Sequence, residues 1–89
     1  MASEFKLEIY TQEKRILETS VISLIAPGEE GYLGILAHHA PLVTTLGEGE
    51  LTLLDSTGER TMAMTGGFLE VADNVATLLV DQIEMEPEE

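Results

Sequence analysis

Several residue types are missing or rare in this chain of 89 residues. Cysteine is absent, which excludes disulfides, thiol catalysis and thiolate metal sites. Only four basic residues stand against 17 acidic ones, so the formal net charge is −13. A surface this acidic repels phosphate backbones and anionic lipid headgroups, so neither nucleic acid nor a membrane surface is an expected ligand. A basic protein surface is the natural complement.

Long apolar runs are also missing. A bilayer span needs about 18 or more consecutive apolar residues, and none is present; the N-terminus also lacks a basic flank followed by an apolar stretch. The sequence therefore predicts neither a membrane-embedded nor an exported chain. Since repeats and low-complexity segments are absent and domains are most often roughly 100–150 residues long, the length predicts one domain with a modest core.

Apolar and polar residues alternate along most of the chain with the two-residue period of half-buried β-strands. Phe5, Leu7 and Ile9 form one apolar face, and Met62 and Met64 are expected in the core of another strand. The nearly uninterrupted apolar segment 21–26 predicts a central strand that is covered on both faces. We find no segment with the apolar period of a helix.

Turn-forming residues separate these segments at short intervals. Gly66 and Gly67 indicate one turn, Asp73 and Asn74 a two-residue hairpin connection, and residues 55–58 a slightly longer one. Short strands at this spacing predict an all-β fold, a two-sheet antiparallel β-sandwich of about ten short strands. The sandwich is expected to span residues 1–85, and residues 86–89 are expected to form an acidic C-terminal tail that frays.

Residue chemistry alone does not complete a catalytic or ligand-binding motif. His38 and His39 are adjacent, so on an extended chain they point to opposite sides, and no H-E-x-x-H spacing accompanies them. The glycines of residues 28–34 lack the lysine and hydroxyl residue of a P-loop, and no G-x-S-x-G nucleophile motif occurs. For the histidines three interpretations stay open: metal ligands, turn residues bonded to backbone, and a partner contact at His39. We predict no catalytic residue, no cofactor and no metal.

Two segments carry a family resemblance. Residues 31–51 read GYLGILAHHAPLVTTLGEGEL, and residues 66–71 read GGFLEV. They resemble the sandwich domain of the epsilon subunit of F-type ATP synthase, which typically carries G-x-x-G-[IV]-L-P-G-H-A-P-L and then G-G-[FI]-x-[EV]-V. The family's Pro-Gly is replaced by Ala37 and His38. The residues that match the first motif are Gly31, Gly34, Ile35, Leu36, His39, Ala40, Pro41 and Leu42.

This resemblance, which runs from Phe5 to about Asp81, implies a non-catalytic rotor subunit of the central stalk. Such a subunit links the gamma subunit to the c-ring in ATP synthesis coupled to hydrogen ion transport. The family commonly has an acidic residue where Tyr32 stands. The resemblance places the gamma contact at His39, Ala40 and Pro41, and the contact with the c-ring loop at Glu29, Glu30 and Tyr32.

The resemblance also sets expectations for the isolated protein. We expect a monomer, associated peripherally with the cytoplasmic face of the energy-coupling membrane, or the equivalent organelle side, through the ATP synthase complex. The family's C-terminal helical hairpin does not follow residue 85, and a natural short form is the expectation. In the family that hairpin carries inhibition and ATP sensing, so calorimetry is expected to detect no micromolar ATP binding.

Two other functions stay open on composition alone. One is a stand-alone β-module that binds a metal or small molecule, with enzymatic activity centred on His38 and His39. The other is an acidic adaptor that binds a basic protein. Neither accounts for the two glycine-bearing segments.

Overall fold

The computed structural model describes residues 3–84, and every regular element in that range is a β-strand. Nowhere in this range is there a helix long and apolar enough to cross a bilayer. The predicted boundary between sandwich and tail at residues 85 and 86 lies outside the described residues. The eight strands are β1 (Phe5–Tyr10), β2 (Arg15–Val21), β3 (Ser23–Gly28), β4 (Gly31–Leu36), β5 (Leu42–Leu46), β6 (Gly49–Asp55), β7 (Gly58–Ala72) and β8 (Val75–Glu84).

The strands form two layers joined by β7. One layer has the order β2-β1-β8-β7-β5. The other contains β4, β3 and β6, and β6 pairs along its whole length with the first half of β7. A single register pair, Gly28 with Leu46, connects β3 to β5. The all-β sandwich predicted from sequence is therefore confirmed.

The core lies between the layers and is entirely apolar in the described residues. Phe5, Leu7 and Ile9 are buried on β1, and Met62 and Met64 are buried on β7, as the alternation predicts. Leu24 of β3 and Leu69 of β7 belong to the same cluster, so both layers contribute to one core. Burial of apolar area is the main term that stabilises a domain of this size.

The sequence predicts about ten short strands, and the structure has eight, because β7 and β8 are long. Gly66 and Gly67, predicted as a turn, lie inside β7, which has 15 residues. Both glycines have positive φ, 53° and 135°, and β7 bends there: before them it pairs with β6, after them with β5. The pairing of β7 with β8 keeps one register across the bend. The glycines change the neighbour of β7 without ending the strand.

Two further predictions about strands are wrong. The sheet is not wholly antiparallel, because β1 pairs with β8 in parallel. Segment 21–26 is not covered on both faces: the strands break at Ile22, and Ile25 is 44% exposed. Its central position is confirmed, since β3 pairs with both β4 and β6. The outward side chains of β3 meet no second layer, so a central strand here has one solvent face.

The hairpin connections are short. Asp73 and Asn74 form the predicted two-residue connection, with φ of 53° and 63°, the left-handed values of a type I′ turn. The connection after β6 is shorter than predicted, because Asp55 already pairs with Gly58. The Asp55 Oδ1 accepts hydrogen bonds from the Thr57 hydroxyl at 2.6 Å and the Thr57 amide at 2.8 Å. These bonds hold the turn from inside.

Candidate functional site

The turn between β3 and β4 carries Glu29 and Glu30 at its tip, closed by the pair Gly28 and Gly31. Glu29 is tied to β5: its amide donates to the Thr45 carbonyl at 3.3 Å, and its Oε1 accepts from the Thr45 hydroxyl at 2.9 Å. Glu30 is exposed, and its side chain makes no hydrogen bond or ion pair within residues 3–84. Of the two adjacent carboxylates, only Glu29 is held by the fold.

Tyr32 connects this turn to the next one. It is 60% exposed, and its hydroxyl accepts a hydrogen bond from the Glu50 amide at 3.0 Å. The ring lies over Gly49: a Cβ on that glycine would stand 2.5 Å from the Tyr32 hydroxyl oxygen and 2.8 Å from Pro27 Cβ. The amide of Gly47 donates to the Pro27 carbonyl at 2.8 Å. The β3–β4 turn and residues 47–50 thus form one bonded unit, which we call the double turn.

The other predicted contact segment lies at the opposite end of β4, between β4 and β5. His39, Ala40 and Pro41 are all exposed there. The His39 Nδ1 lies 2.7 Å from the Ala40 carbonyl oxygen. Because a carbonyl only accepts, that nitrogen carries the proton and the outer Nε2 is left for other partners. The structure therefore gives His39 the backbone bond of a turn histidine.

His38 stands where the family motif has glycine. Its φ is 65°, in the left-handed region that glycine adopts without strain. Its amide donates to Asn74 Oδ1 at 2.7 Å, and Asn74 Nδ2 donates to the Glu4 carbonyl at 3.1 Å. Asn74 thereby fixes the β4–β5 segment to the N-terminal strand. Among the described residues, no group of three or more histidine or acidic side chains is placed to hold a metal ion.

Three exposed apolar side chains lie on the outer face of the larger layer, and sequence reasoning missed them. Val43, Phe68 and Leu79 are 72%, 54% and 46% exposed. Phe68 pairs directly with Leu79, and Val43 lies opposite Glu70 two residues along β7, so all three share one face. We call them the outer patch. The signal was available: Leu69 points inward by alternation, which turns Phe68 outward.

A second exposed apolar group lies on the outer face of the smaller layer. Leu36 and Leu54 both pair with Ser23, and Ile25 is two residues along the same strand. The sequence did not predict this exposed group, because segment 21–26 was expected to be covered on both faces. The domain therefore presents apolar side chains on both outer faces.

The ion pairs of residues 3–84 lie on β1 and β2. Lys6 Nζ lies 2.8 Å from a Glu18 carboxylate oxygen and 3.5 Å from Glu8, and Arg15 lies 2.7 Å from Glu18. Hydrogen bonding to Glu18 raises the pKa of Lys6, and the same bond lowers the pKa of Glu18. Half of the four basic residues are thus used in local ion pairs.

Comparison with known proteins gives a consistent result. The chain matches the family described as the beta-sandwich domain of the ATP synthase Delta/Epsilon chain over residues 4–86. The ATP synthase epsilon chain of Leptospira interrogans (serovar copenhageni) is 41% identical over 80 residues, which cover 90% of this chain and 63% of the relative. That of Syntrophomonas wolfei is 43% identical over 83 residues, covering 92% and 61%.

Solved structures agree with the fold. A chain in the mitochondrial ATP synthase of Euglena gracilis, in a structure that contains the OSCP, F1 and the c-ring, superposes with a TM-score of 0.87 at 25% identity. The match covers 96% of this chain and 55% of that one. A chain of the Tetrahymena thermophila mitochondrial central stalk and c-ring gives a TM-score of 0.77 at 19% identity, which shows the fold alone. The chain spans about three fifths of the curated relatives it matches.

Proposed function

Because this chain belongs to the family of ATP synthase delta/epsilon β-sandwich domains, we propose that it is a non-catalytic rotor subunit of a proton-translocating F-type ATP synthase. The observation that carries the proposal is the family match over residues 4–86, which takes in the whole described sandwich. In this role the domain joins the gamma subunit to the c-ring. Its place is then on the membrane through the complex, on the cytoplasmic face or the equivalent organelle side.

On the gamma side we propose the segment His39–Pro41 together with the outer patch. The segment runs into β5, whose Val43 belongs to that patch. Exposed apolar groups that are contiguous on a soluble domain commonly mark a protein interface, and Phe68 supplies the aromatic anchor that such interfaces favour. The imidazole Nε2 of His39 adds a polar contact at the edge of this surface.

On the ring side we propose the double turn, with Glu29, Glu30 and Tyr32. It lies at the other end of β4 from His39, so the segment His39–Pro41 and the double turn lie at opposite ends of that strand. Carboxylates here complement basic loops, and such complementarity sets register and association rate more than affinity. A stiff domain bound to two partners transmits rotation without chemistry of its own, because close-packed interiors deform little under load.

Co-expression with the gamma subunit and c-ring of the source organism tests this function. A stoichiometric complex that purifies through a tag on this chain is the expected result. Phe68→Ser is expected to weaken the gamma contact, since it removes the largest side chain of the outer patch. Ile25→Ser is the matched control, because Ile25 is similarly exposed on the opposite outer face.

The outcomes separate the alternatives. Loss of gamma binding in Ile25→Ser, with binding kept in Phe68→Ser, moves the gamma contact to the other face. If the unchanged chain purifies with neither partner but binds a metal that His38→Ala and His39→Ala together abolish, the stand-alone metal-binding module is correct and the rotor function is wrong.

A further inference from the structure

Tyr32 stands where the resemblance predicts a ring contact, yet its polar atom is already bonded inside the domain. The reason lies in the paths of the strands. β3 pairs with β6 only at residues 23–25, and at Gly28 it pairs with β5 instead. The Glu50 amide therefore extends beyond the last β3 partner, and the Tyr32 hydroxyl occupies the acceptor position that a neighbouring strand would fill.

One feature on each side of Glu30 fixes the double turn. Gly49 leaves room for the ring, since any Cβ at that position would meet both the Tyr32 hydroxyl and Pro27. On the other side of the turn, Thr45 bonds both the amide and the carboxylate of Glu29. Together these bonds hold both flanks of Glu30 and leave its carboxylate outside.

We propose that Tyr32 is a positioning residue: it fixes the double turn so that Glu30 is presented to a cationic side chain on the ring loop. This proposal rests on the proposed rotor function. A carboxylate on a fixed turn loses less conformational entropy on binding than one on a free loop, so the tyrosine strengthens binding through Glu30. One carboxylate oxygen of Glu29 is bonded to Thr45, so Glu30 is the freer of the two carboxylates to reach the partner.

The test combines hydrogen exchange on the isolated full chain with binding to a detergent-solubilised complex of c-ring and gamma subunit. Tyr32→Phe removes only the hydroxyl, so the melting temperature is expected to stay close to that of the unchanged chain. Exchange at the Glu50 amide is expected to accelerate on the order of tenfold, since its acceptor is gone. Tyr10→Phe is the matched control, because the Tyr10 hydroxyl also makes one hydrogen bond within the domain, to the half-buried Glu8 at 2.7 Å.

Binding decides whether the tyrosine acts through Glu30. Glu30→Gln is expected to lower affinity about two- to fivefold, the range of exposed charge pairs. Tyr32→Phe is expected to lower it about twofold in the unchanged chain and to have no effect in the Glu30→Gln background. Gly49→Ala adds a Cβ that would displace the Tyr32 ring, so it is expected to lower affinity by the same factor as Tyr32→Phe.

Each contrary result has a separate meaning. If hydrogen exchange at the Glu50 amide is unchanged in Tyr32→Phe, the Tyr32 hydroxyl does not fix the double turn. Additive losses in the double variant overturn action through Glu30 and make Tyr32 a direct contact. If the unchanged chain does not bind the complex, the rotor function and the presentation of Glu30 both fail. The exchange measurement still decides whether Tyr32 fixes the double turn.

Discussion

Replacing Gly67 with valine tests the reasoning about how β7 passes between the layers. Gly67 has φ of 135°, and a Cβ there would overlap the Leu79 carbonyl oxygen of β8 and stand 2.8 Å from Val80 Cα. The dihedral costs a non-glycine residue about 1–3 kcal/mol, and overpacking adds about 1–3 kcal/mol. The obstacle is backbone, so no side-chain rotation relieves it. Against a typical stability of about 5–15 kcal/mol, the loss is severe.

Two other glycines separate the two costs. Gly31 has nearly the same φ, 138°, but nothing lies within 4 Å of its added Cβ, so Gly31→Val pays only for the dihedral. Gly34 lies on the same strand with open space and no positive φ, so neither cost applies to Gly34→Val. Valine favours strands by up to about 1 kcal/mol, and Gly34→Val is expected to match or exceed the unchanged chain.

Circular dichroism melts, with urea unfolding to obtain the free energies, rank the three variants. In a domain of this length each kcal/mol shifts the melting temperature by about 4–8 °C. The expected order of stability is Gly34→Val, then Gly31→Val, then Gly67→Val, with the last at least about 10 °C below the unchanged chain. If Gly67→Val melts with Gly31→Val, close approach of β8 is not the reason for the glycine. If Gly67→Val melts at the temperature of the unchanged chain, neither the dihedral cost nor the close approach of β8 explains the glycine.

Three further perturbations address the loops. His39→Asp is expected to weaken gamma binding severalfold by adding negative charge to the proposed contact, whereas the neutral isostere His39→Asn should weaken it less; equal pull-down affinities would remove charge as the cause. Asp55→Asn is expected to lower the melting temperature at pH 7. Bonds from the Thr57 hydroxyl and amide lower the pKa of Asp55 below its usual 3.8, so the difference should be present above that pH and vanish as the pH falls through the lower, folded pKa; a difference that persists in acid contradicts this. Asn74→Gly keeps the left-handed turn but loses two side-chain bonds, so urea unfolding should show a loss of about 1–2 kcal/mol, while Asp73→Gly should cost nothing; equal effects would mean that the bonds contribute little.

Local patterns sufficed for much of the fold. The alternation around Leu7 and Met62 predicts their burial, and Asp73 with Asn74 predicts a hairpin, because each depends on neighbours along the chain. The family resemblance is confirmed by the match over residues 4–86. The parallel pairing of β1 with β8 left no local trace, since residues some 70 positions apart form it, as in the pair Lys6 and Val75.

The candidate site divides in the same way. The motif locates His39 and the acidic turn, and their partner contacts stay predictions. The bond from Glu50 to Tyr32 could not be predicted, because it depends on where β3 leaves β6. Gly66 and Gly67 misled for a related reason: glycine marks positive φ, and a bend inside a strand needs it as much as a turn does.

Membership of β7 in both layers has a mechanical consequence. In a sandwich whose layers touch only through side chains, one layer can twist against the other if the apolar side chains between them slide past one another. Here β7 pairs with strands of both layers, and its pairing with β8 continues across the bend in one register. Turning the layers apart must break hydrogen bonds along β7, so the domain resists torsion by its topology and not only by its packing.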